Sequence, residues 1–296
     1  MPVATHFGPR AVTTPRTEYG FFTVQPVGTC IGGEIQGVDL TQPVGASLHA
    51  DLHQSLLDWK VIFFRDQRIS ATQQRDFARL WGELEVHPFL PAGDLPEVVR
   101  FAKDDATKGY ENIWHSDVTW RQIPSLGSVL RAIELPPVGG DTLWADMAAA
   151  YEGLPEDVRD RIDGLTAVHD FAGSFGQAMS DEELERTRRE YPPAEHPVVR
   201  THPETGQRAI YVNEIFTSHI VGVDPDESDE LLRFLCAQAR IPEYQCRFRW
   251  EPDSIAFWDN RSAQHYAVSD YWPAHRVMER VTIIGDVPAE EERPRP

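Results

Sequence analysis

The chain has 296 residues, of which 41% are hydrophobic and 25% are charged. This length suits one large β domain with insertions or two small domains, and the composition is that of an ordinary globular protein. The formal net charge of −19 argues against nucleic acid or an anionic membrane as a partner, because both need a basic surface. We also expect no membrane span and no secretory signal, because no apolar run is long enough.

The cysteines predict a reducing compartment. The chain has only three, Cys30, Cys236 and Cys246, and none forms a CxxC pair. An odd and sparse set of this kind favours free thiols over a disulfide framework. A cytoplasmic location is therefore predicted.

The first half of the chain predicts short strands with a few helices. Residues 1–20 are polar and rich in proline and threonine, which predicts an N-terminal arm. Further elements follow in order: short strands in 21–40, a helix over 47–60, a buried strand over 60–67, and a helix over 71–84 opened by a capping box of Ser70 and Gln73. The first half therefore contributes both strands and covering helices.

The middle of the chain predicts a strand over 128–135, a turn followed by a strand within 136–146, and then two short helices broken at Pro155. Residues 179–195 form a charged and then proline-rich insertion. Long insertions often cover active sites, so a lid is predicted near 172–195.

The last third predicts an amphipathic helix over 226–240 and three strands, 243–250, 254–259 and 275–286. Many short strands with added helices indicate a β-sandwich or jelly roll. Without a visible linker, we predict one domain over 21–288 and a C-terminal tail over 289–296.

A metal site is predicted from residues that lie far apart in the chain. WHSDVTW (114–120) carries His115 and Asp117, and WDNRSAQHY (258–266) carries His265. In a strand, side chains two apart point to the same face, so His115 and Asp117 are expected to face the interior together. Two histidines and one carboxylate can hold a metal on three neighbouring positions and leave the others open, as in non-heme Fe(II) oxygenases.

An HxD pair alone is a weak signal, and the chain contains a second one, His49 and Asp51. That pair lies in a helical pattern, where residues two apart do not face each other. We interpret it as accidental.

Two arginines follow His265 on one predicted strand. Arg276 and Arg280 share a face of that strand, roughly 13 Å apart along it. Inward arginines are costly unless each meets an anion, and a guanidinium pairs well with a carboxylate or a sulfonate. The pattern leaves the opposite register open, in which Glu279 faces inward.

Five segments together resemble the taurine dioxygenase (TauD/TfdA) family of Fe(II)- and 2-oxoglutarate-dependent dioxygenases. They are WHSDVTW, GGDTLWAD, HPVVRTHPETG (196–206), WDNRSAQHYA and HRVMERVTIIGD. They occur in the family's order over residues 20–288. The resemblance implies a mainly β fold with added helices, the double-stranded β-helix or cupin-like jelly roll. It also implies an oxidoreductase that uses Fe(II), 2-oxoglutarate and O2 and assembles as a homo-oligomer, a dimer or a tetramer.

The resemblance also implies roles for single residues around the metal. His115, Asp117 and His265 match the iron ligands. Arg276, eleven residues after His265, matches the arginine that binds the distal carboxylate of 2-oxoglutarate. Thr142 matches a threonine that hydrogen-bonds the same carboxylate.

The substrate-pocket residues implied by the resemblance match the taurine enzyme only in part. Arg280 and His87 match residues that hold the substrate sulfonate in the taurine enzyme, and Phe175 and Phe216 match aromatic pocket walls. Leu90, in contrast, stands where the taurine enzyme has a tyrosine.

An asparagine that contacts the taurine amine corresponds to Glu111 or Asn112, depending on the alignment. Compared with the taurine enzyme, the residues expected to bind the substrate anion are therefore retained, and the other end of the pocket is altered. We predict hydroxylation of a small anionic organic substrate. The first choice is taurine or a related alkylsulfonate, with release of sulfite and an aldehyde. The alternatives are a sulfate ester, an aryloxy-acid, or a biosynthetic amino or carboxylic acid.

Two functions from other classes use the same ligands. A site of two histidines and one carboxylate can hold zinc and activate water for hydrolysis, and a cupin-like protein can bind without turnover. Arg276 together with Thr142 favours the dioxygenase, because a zinc hydrolase has no need of them.

Overall fold

A computed structural model describes residues 14–90, 93–106 and 112–291. The strands are β1 (Thr23–Pro26), β2 (Gly33–Gln36), β3 (Val61–Phe64), β4 (Val98–Lys103), β5 (Ser125–Glu134), β6 (Thr142–Asp146), β7 (Thr166–His169), β8 (Ala194–Pro197), β9 (Val199–Thr201), β10 (Arg208–Ile210), β11 (Thr217–Ile220), β12 (Gln245–Phe248), β13 (Ile255–Asp259), β14 (Ala263–Ala267) and β15 (Arg276–Ile284). The helices are α1 (Ala46–Trp59), α2 (Ala71–Ala78), α3 (Met147–Glu152), α4 (Glu156–Ile162), α5 (Asp181–Glu190) and α6 (Pro225–Ala237).

Two sheets face each other across the centre of the molecule. The larger has seven strands in the order β1-β2-β3-β13-β5-β15-β4, and the smaller has the order β12-β6-β14. An isolated antiparallel bridge between His115 and His265 extends the smaller sheet by one residue. Two further small sheets, β11-β7-β8 and β10-β9, lie outside this pair. The arrangement is the predicted jelly roll, mainly β with added helices.

The core between the two sheets is aromatic. Phe63 of the larger sheet stacks on Phe248 of the smaller one, with 4.0 Å between ring centroids. Trp144 and Trp258 meet in the same layer at 5.7 Å, and both are almost fully buried. Large rings that fill the inter-sheet space fix the spacing of the sheets and therefore the depth of any pocket at their open end.

Helices α1 and α2 cover the outer face of the larger sheet. Leu52, Leu56 and Trp59 of α1 are fully buried and share a core cluster with strand residues such as Phe257 and Val281. The predicted capping box of Ser70 and Gln73 is confirmed at the start of α2. The predicted helix over 71–84 ends earlier, because a single 3₁₀ turn replaces it at Arg79–Trp81.

The register of β15 places its arginines on the pocket side. Met278 enters the core between the sheets, while Val281 and Ile283 enter the helix-covered core. Arg276 and Arg280 accordingly line the central pocket. The alternative register, with the arginines toward solvent, is therefore excluded.

Glu279 is buried on the helix side of β15 because two arginines neutralise it. Its carboxylate lies 2.8 Å from Arg100 Nη1 and 2.5 Å from Arg131 Nη2. The Gln74 amide donates to the Glu279 main-chain oxygen at 2.9 Å. A buried charge is tolerated when it is paired in this way, which explains how a sheet covered on both faces can carry polar residues along one strand.

Other differences from the predicted elements lie mostly in the middle of the chain. The charged insertion contains the regular helix α5, opened by a capping box of Ser180 and Glu183. The short strands β7 to β11 were not predicted, since three- and four-residue strands carry little periodicity. At the N-terminal end, Tyr19 Oη donates to Asp58 at 2.7 Å.

Among the described helices, none combines the length and apolarity required to cross a membrane.

The two ion pairs of Glu279, with Arg100 and Arg131, lead to a stability prediction. Glu279→Gln should lower the free energy of unfolding by about 2–3 kcal/mol, because it leaves the largely buried Arg131 side chain without its counter-charge. This magnitude allows for the partial exposure of Arg100, which screens its share. Urea denaturation measures it. The control Glu230→Gln changes an exposed acid on α6 and should leave stability unchanged; an equal loss in both variants would contradict the prediction.

Candidate metal centre and active-site pocket

The structure brings the three predicted metal ligands together at the open end of the smaller sheet. His115 and His265 exchange two backbone hydrogen bonds, of 3.1 and 2.8 Å, and their ring centroids are 4.2 Å apart. Asp117 Oδ1 lies 3.9 Å from His115 Nε2 and 4.0 Å from His265 Nε2. The three ligand atoms all lie within 4.8 Å of one another, which is close enough to hold one ion.

The prediction that His115 and Asp117 share a strand is wrong. Only His115 is bridged to another strand, and Asp117 begins a turn. Val118 adopts the left-handed conformation (φ 58°), which is unusual for a β-branched residue. The turn closes through Arg121 N–H to Val118 O at 3.0 Å. Asp117 faces the histidines because of this turn, and not because of strand alternation.

Side chains from other segments hold the Asp117 carboxylate and backbone. Ser128 Oγ donates to Oδ2 at 2.8 Å, and Asn260 Nδ2 approaches the same oxygen at 3.4 Å. Asn260 Oδ1 accepts the Asp117 backbone N–H at 3.1 Å, and Arg280 Nη1 donates to Oδ1 at 2.7 Å. Burial raises the pKa of this carboxyl, but Arg280, then the two histidines and Ser128, outweigh burial and keep the pKa well below its usual range. Asp117 is therefore an anion, as a metal ligand must be.

Each of the two histidines is arranged to bind a metal. His115 Nδ1 lies 2.8 Å from the Ile113 carbonyl, to which it donates, so the lone pair is on Nε2. Burial, aided by the neighbouring His115 ring, lowers the pKa of His265 to about 3. A neutral imidazole is the form that coordinates metals. The donor set of two imidazoles and one carboxylate fits Fe(II).

The same pocket contains the groups predicted to hold 2-oxoglutarate. Thr142 and Arg276 line it together with His115, His265 and Arg280, the last of which is predicted to bind the substrate. Trp250 Nε1, which can only donate, gives its hydrogen to Thr142 Oγ1 at 3.0 Å. The Thr142 hydroxyl proton is then directed elsewhere, as a carboxylate partner requires. These residues fit a dicarboxylate that reaches from the metal to Arg276.

Gly140 shapes the Arg276 end of the pocket. Its φ is +71°, and an added Cβ would lie 3.0 Å from both Cδ and Nε of Arg276. Glycine is the residue that allows this backbone and this approach together. The guanidinium position therefore depends on the absence of a side chain at residue 140.

Arg280, predicted to bind the substrate, lines the same pocket as Arg276, and contacts place the other residues predicted for the substrate. His87 is buried, and its pKa is lowered to about 3 by burial and by the positive charge of Arg280. Its Nδ1 accepts the Phe89 backbone N–H at 3.2 Å, which leaves an N–H donor on Nε2. Phe175 packs on His87 at 5.2 Å between ring centroids, and Phe216 packs on His115 at 6.2 Å.

Two further positions predicted to bind the substrate are at least partly exposed. Leu90 is half-buried after His87 and Phe89, and Asn112 is exposed before the metal-ligand segment. Glu111, the alternative to Asn112, lies outside the described residues.

Sequence reasoning missed several residues that position the site. Ser128 and Asn260 hold Asp117, and Asn260 Oδ1 also accepts from Trp258 Nε1 at 2.9 Å. The WDN triplet was a signal for Asn260, since it precedes His265 in the same motif. Nothing local marked Ser128, which reaches the site only through the pairing of β5 with β13 and β15.

Asn213 is a further positioning residue beside the pocket. Its Nδ2 donates to Thr119 Oγ1 at 2.9 Å, and its Oδ1 accepts the Phe216 backbone N–H at 3.0 Å. Asn213 is 1% exposed. It therefore ties the aromatic wall at Phe216 to the turn that carries Asp117.

Comparison with known proteins agrees with this geometry. Residues 23–282 match the model of the taurine catabolism dioxygenase TauD, TfdA family. An alkylsulfatase of Acinetobacter baylyi is 38% identical over 87% of this chain and 83% of its own length. An α-ketoglutarate-dependent sulfate ester dioxygenase of Pseudomonas putida is 39% identical over 90% of each chain. The crystal structure of a taurine dioxygenase from Burkholderia xenovorans superposes with a TM-score of 0.78 and 39% identity, covering 90% of this chain and 92% of the other.

The chain belongs to the taurine catabolism dioxygenase TauD, TfdA family. It is a 2-oxoglutarate-dependent dioxygenase of a family that uses Fe(II) as its metal and 2-oxoglutarate and O2 as co-substrates. The resemblance found in the sequence is confirmed, as are the predicted fold and class of enzyme. The zinc hydrolase and the non-catalytic binding protein are correspondingly disfavoured.

Asn260 gives a first prediction for this site. Asn260→Ala should weaken Mn(II) binding by about 10- to 100-fold, because it frees the backbone and the carboxylate of Asp117. Isothermal titration of the metal measures the change. Asn112→Ala alters an exposed asparagine near the same ligands and should leave the affinity unchanged. An Asn260 variant with the parent affinity would refute this positioning role.

Gly140 gives a second prediction. Gly140→Ala should weaken 2-oxoglutarate binding by roughly tenfold or more, because the new methyl displaces Arg276. Gly222→Ala is the matched control, since Gly222 has φ +74° with nothing within 4 Å of an added Cβ. It carries the same backbone strain without touching the pocket. Equal loss of affinity in both variants would show that strain, and not Arg276, is responsible.

Proposed function

We propose that this enzyme oxidises organic sulfate esters with an apolar organic group, releasing inorganic sulfate and an aldehyde. The observation that carries the proposal is the pairing of a buried cation and a neutral donor, Arg280 and His87, with an aromatic wall. Two relatives named for sulfate esters, at 38% and 39% identity, support the same substrate class. Taurine, the first choice from the sequence, has a charged amine that this wall does not match.

The proposed anion site suits a singly charged tetrahedral group. Arg280 is 13% exposed at its side chain, and its buried Nε has no hydrogen-bonding partner among the described residues. His87, kept neutral, adds an Nε2–H donor. One full positive charge and several N–H donors match one sulfate ester, whose oxygens are acceptors only.

The organic part of the substrate would lie against an apolar cluster. Phe89 contacts Phe175 and Phe171 with ring centroids 5.2 Å away in both cases. Met179 and Leu184, from the predicted lid near 172–195, pack against the same cluster. Burying an alkyl chain here contributes about 0.8 kcal/mol per methylene, so binding should strengthen with chain length.

In this proposal the chain's residues position the reactants. His115, Asp117 and His265 hold Fe(II), which with 2-oxoglutarate and O2 supplies the oxidising power for hydroxylation of a C–H bond. Arg276 and Thr142 hold the distal carboxylate of 2-oxoglutarate. Arg280 and His87 hold the sulfate, so that the carbon bearing it lies beside the metal. The aromatic cluster excludes water from this region.

The overall reaction balances without another reductant. One oxygen atom of O2 enters succinate as 2-oxoglutarate loses CO2, and the other hydroxylates the carbon attached to the ester oxygen. The hydroxylated ester then breaks its C–O bond to sulfate, giving an aldehyde, sulfate and a proton. The homo-oligomer, the cytoplasmic location, the lid and the division into arm, domain and tail stay predictions.

A substrate panel tests this function. Hexyl sulfate should yield succinate, hexanal and sulfate in equal amounts, with turnover rising from short to medium chains. Hexanesulfonate, which has the same organic group as hexyl sulfate, is tested in parallel with taurine and phenoxyacetate, which represent the competing substrate classes. Succinate formation is followed together with sulfate release. The proposal would be contradicted if taurine or phenoxyacetate were turned over to product and none of the sulfate esters were.

A further inference from the structure

We infer that Arg280 couples the metal site to the substrate anion site, so that each ligand strengthens the binding of the other. The inference rests on the proposed function for the nature of the anion. It extends the role of Arg280 from holding an anion to controlling when the metal ligand Asp117 is available.

The inference is based on one carboxylate oxygen, Asp117 Oδ1, to which both Arg280 and a bound metal ion would bind. Arg280 Nη1 lies 2.7 Å from Asp117 Oδ1. The same Oδ1 faces Nε2 of His115 at 3.9 Å and of His265 at 4.0 Å. The other oxygen, Oδ2, accepts from Ser128 and Asn260. A divalent ion and the guanidinium would therefore compete for the same oxygen.

Arg280 is also built to hold a second anion. Its Nη1 is used by Asp117, but its buried Nε has no hydrogen-bonding partner among the residues that the structure describes. The guanidinium carbon lies 5.0 Å from the centroid of the Phe101 ring, and the side chain lines the central pocket. Without a substrate, Asp117 is the anion that the guanidinium contacts.

The sign of the coupling follows from the charges. A divalent ion on Oδ1 repels the guanidinium at short range and weakens its hold on Asp117. The guanidinium is then available to a substrate anion. Conversely, an anion on Arg280 cancels its charge and lowers the cost of placing the metal beside it. By linkage, the two affinities rise by the same factor.

The decisive experiment measures Mn(II) affinity without any substrate. Arg280→Gln should bind Mn(II) roughly tenfold more tightly than the parent at a pH where Asp117 stays ionised, because Asp117 loses its competing cation while Ser128 and Asn260 still donate to its other oxygen. Arg280→Met, which keeps much of the side chain's apolar stem, is the second variant and should behave in the same way. Circular dichroism establishes which of them fold, and either one is sufficient.

Arg276→Gln is the matched control. It removes the same charge from the same face of β15, at the far end of the pocket, and should leave the Mn(II) affinity within about twofold of the parent. An equal gain in this variant would mean a general charge effect and would overturn the coupling through Asp117. Unchanged affinity in the folded Arg280 variants would overturn it as well.

A second measurement adds the anion. Saturating hexyl sulfate should tighten Mn(II) binding to the parent protein roughly tenfold and have no effect on Arg280→Gln. A shift of equal size in both proteins would overturn the inference. Failure of the proposed function is separable, because the substrate-free comparison of Arg280 variants does not depend on which anion is the substrate.

Discussion

The buried carboxylate of Asp117 is the group on which the rest of the pocket depends. A carboxylate removed from water needs donors on every side, and here they come from β5, β15 and the turn between β13 and β14. Each strand must pair in one register for Ser128, Arg280 and Asn260 to meet at that point. The jelly roll therefore does more than carry the metal ligands, since its strand order assembles the donors that keep Asp117 ionised.

Much of this arrangement could be predicted from the sequence. His115, Asp117 and His265 stand in distinctive segments, and the arginines of β15 alternate along a strand whose faces the sequence shows. What the sequence left open was which face points inward. The answer depends on Glu279, which can be buried because Arg100 and Arg131 lie on the two strands that flank β15. Their contact with Glu279 spans more than a hundred residues, so no local pattern could reveal it.

The failure at Asp117 has a different physical origin. Alternation predicted a strand through residues 115 to 117, yet the chain leaves the sheet after a single bridge. Asn260 accepts the Asp117 backbone N–H, so a side chain replaces the strand partner, and Val118 takes up the left-handed turn. The predicted outcome, with both side chains facing the metal, was correct, although the backbone achieves it by another route. Tertiary hydrogen bonds can thus override a period-two pattern over so short a segment.

The two ends of the pocket are built from different kinds of structure, and this explains what its sequence can and cannot specify. The metal and 2-oxoglutarate groups lie mostly on paired strands or bridges, where a shift of one residue would turn every side chain to the other face. His87, Phe175 and Phe216 lie on connecting segments, which tolerate substitution without disturbing the sheets. A fold of this kind keeps one oxidising centre while its substrate wall changes. Relatives named for sulfate esters and for taurine can therefore share this fold, and Leu90, predicted from the resemblance to differ from the taurine enzyme, stands in the part of the pocket that is free to vary.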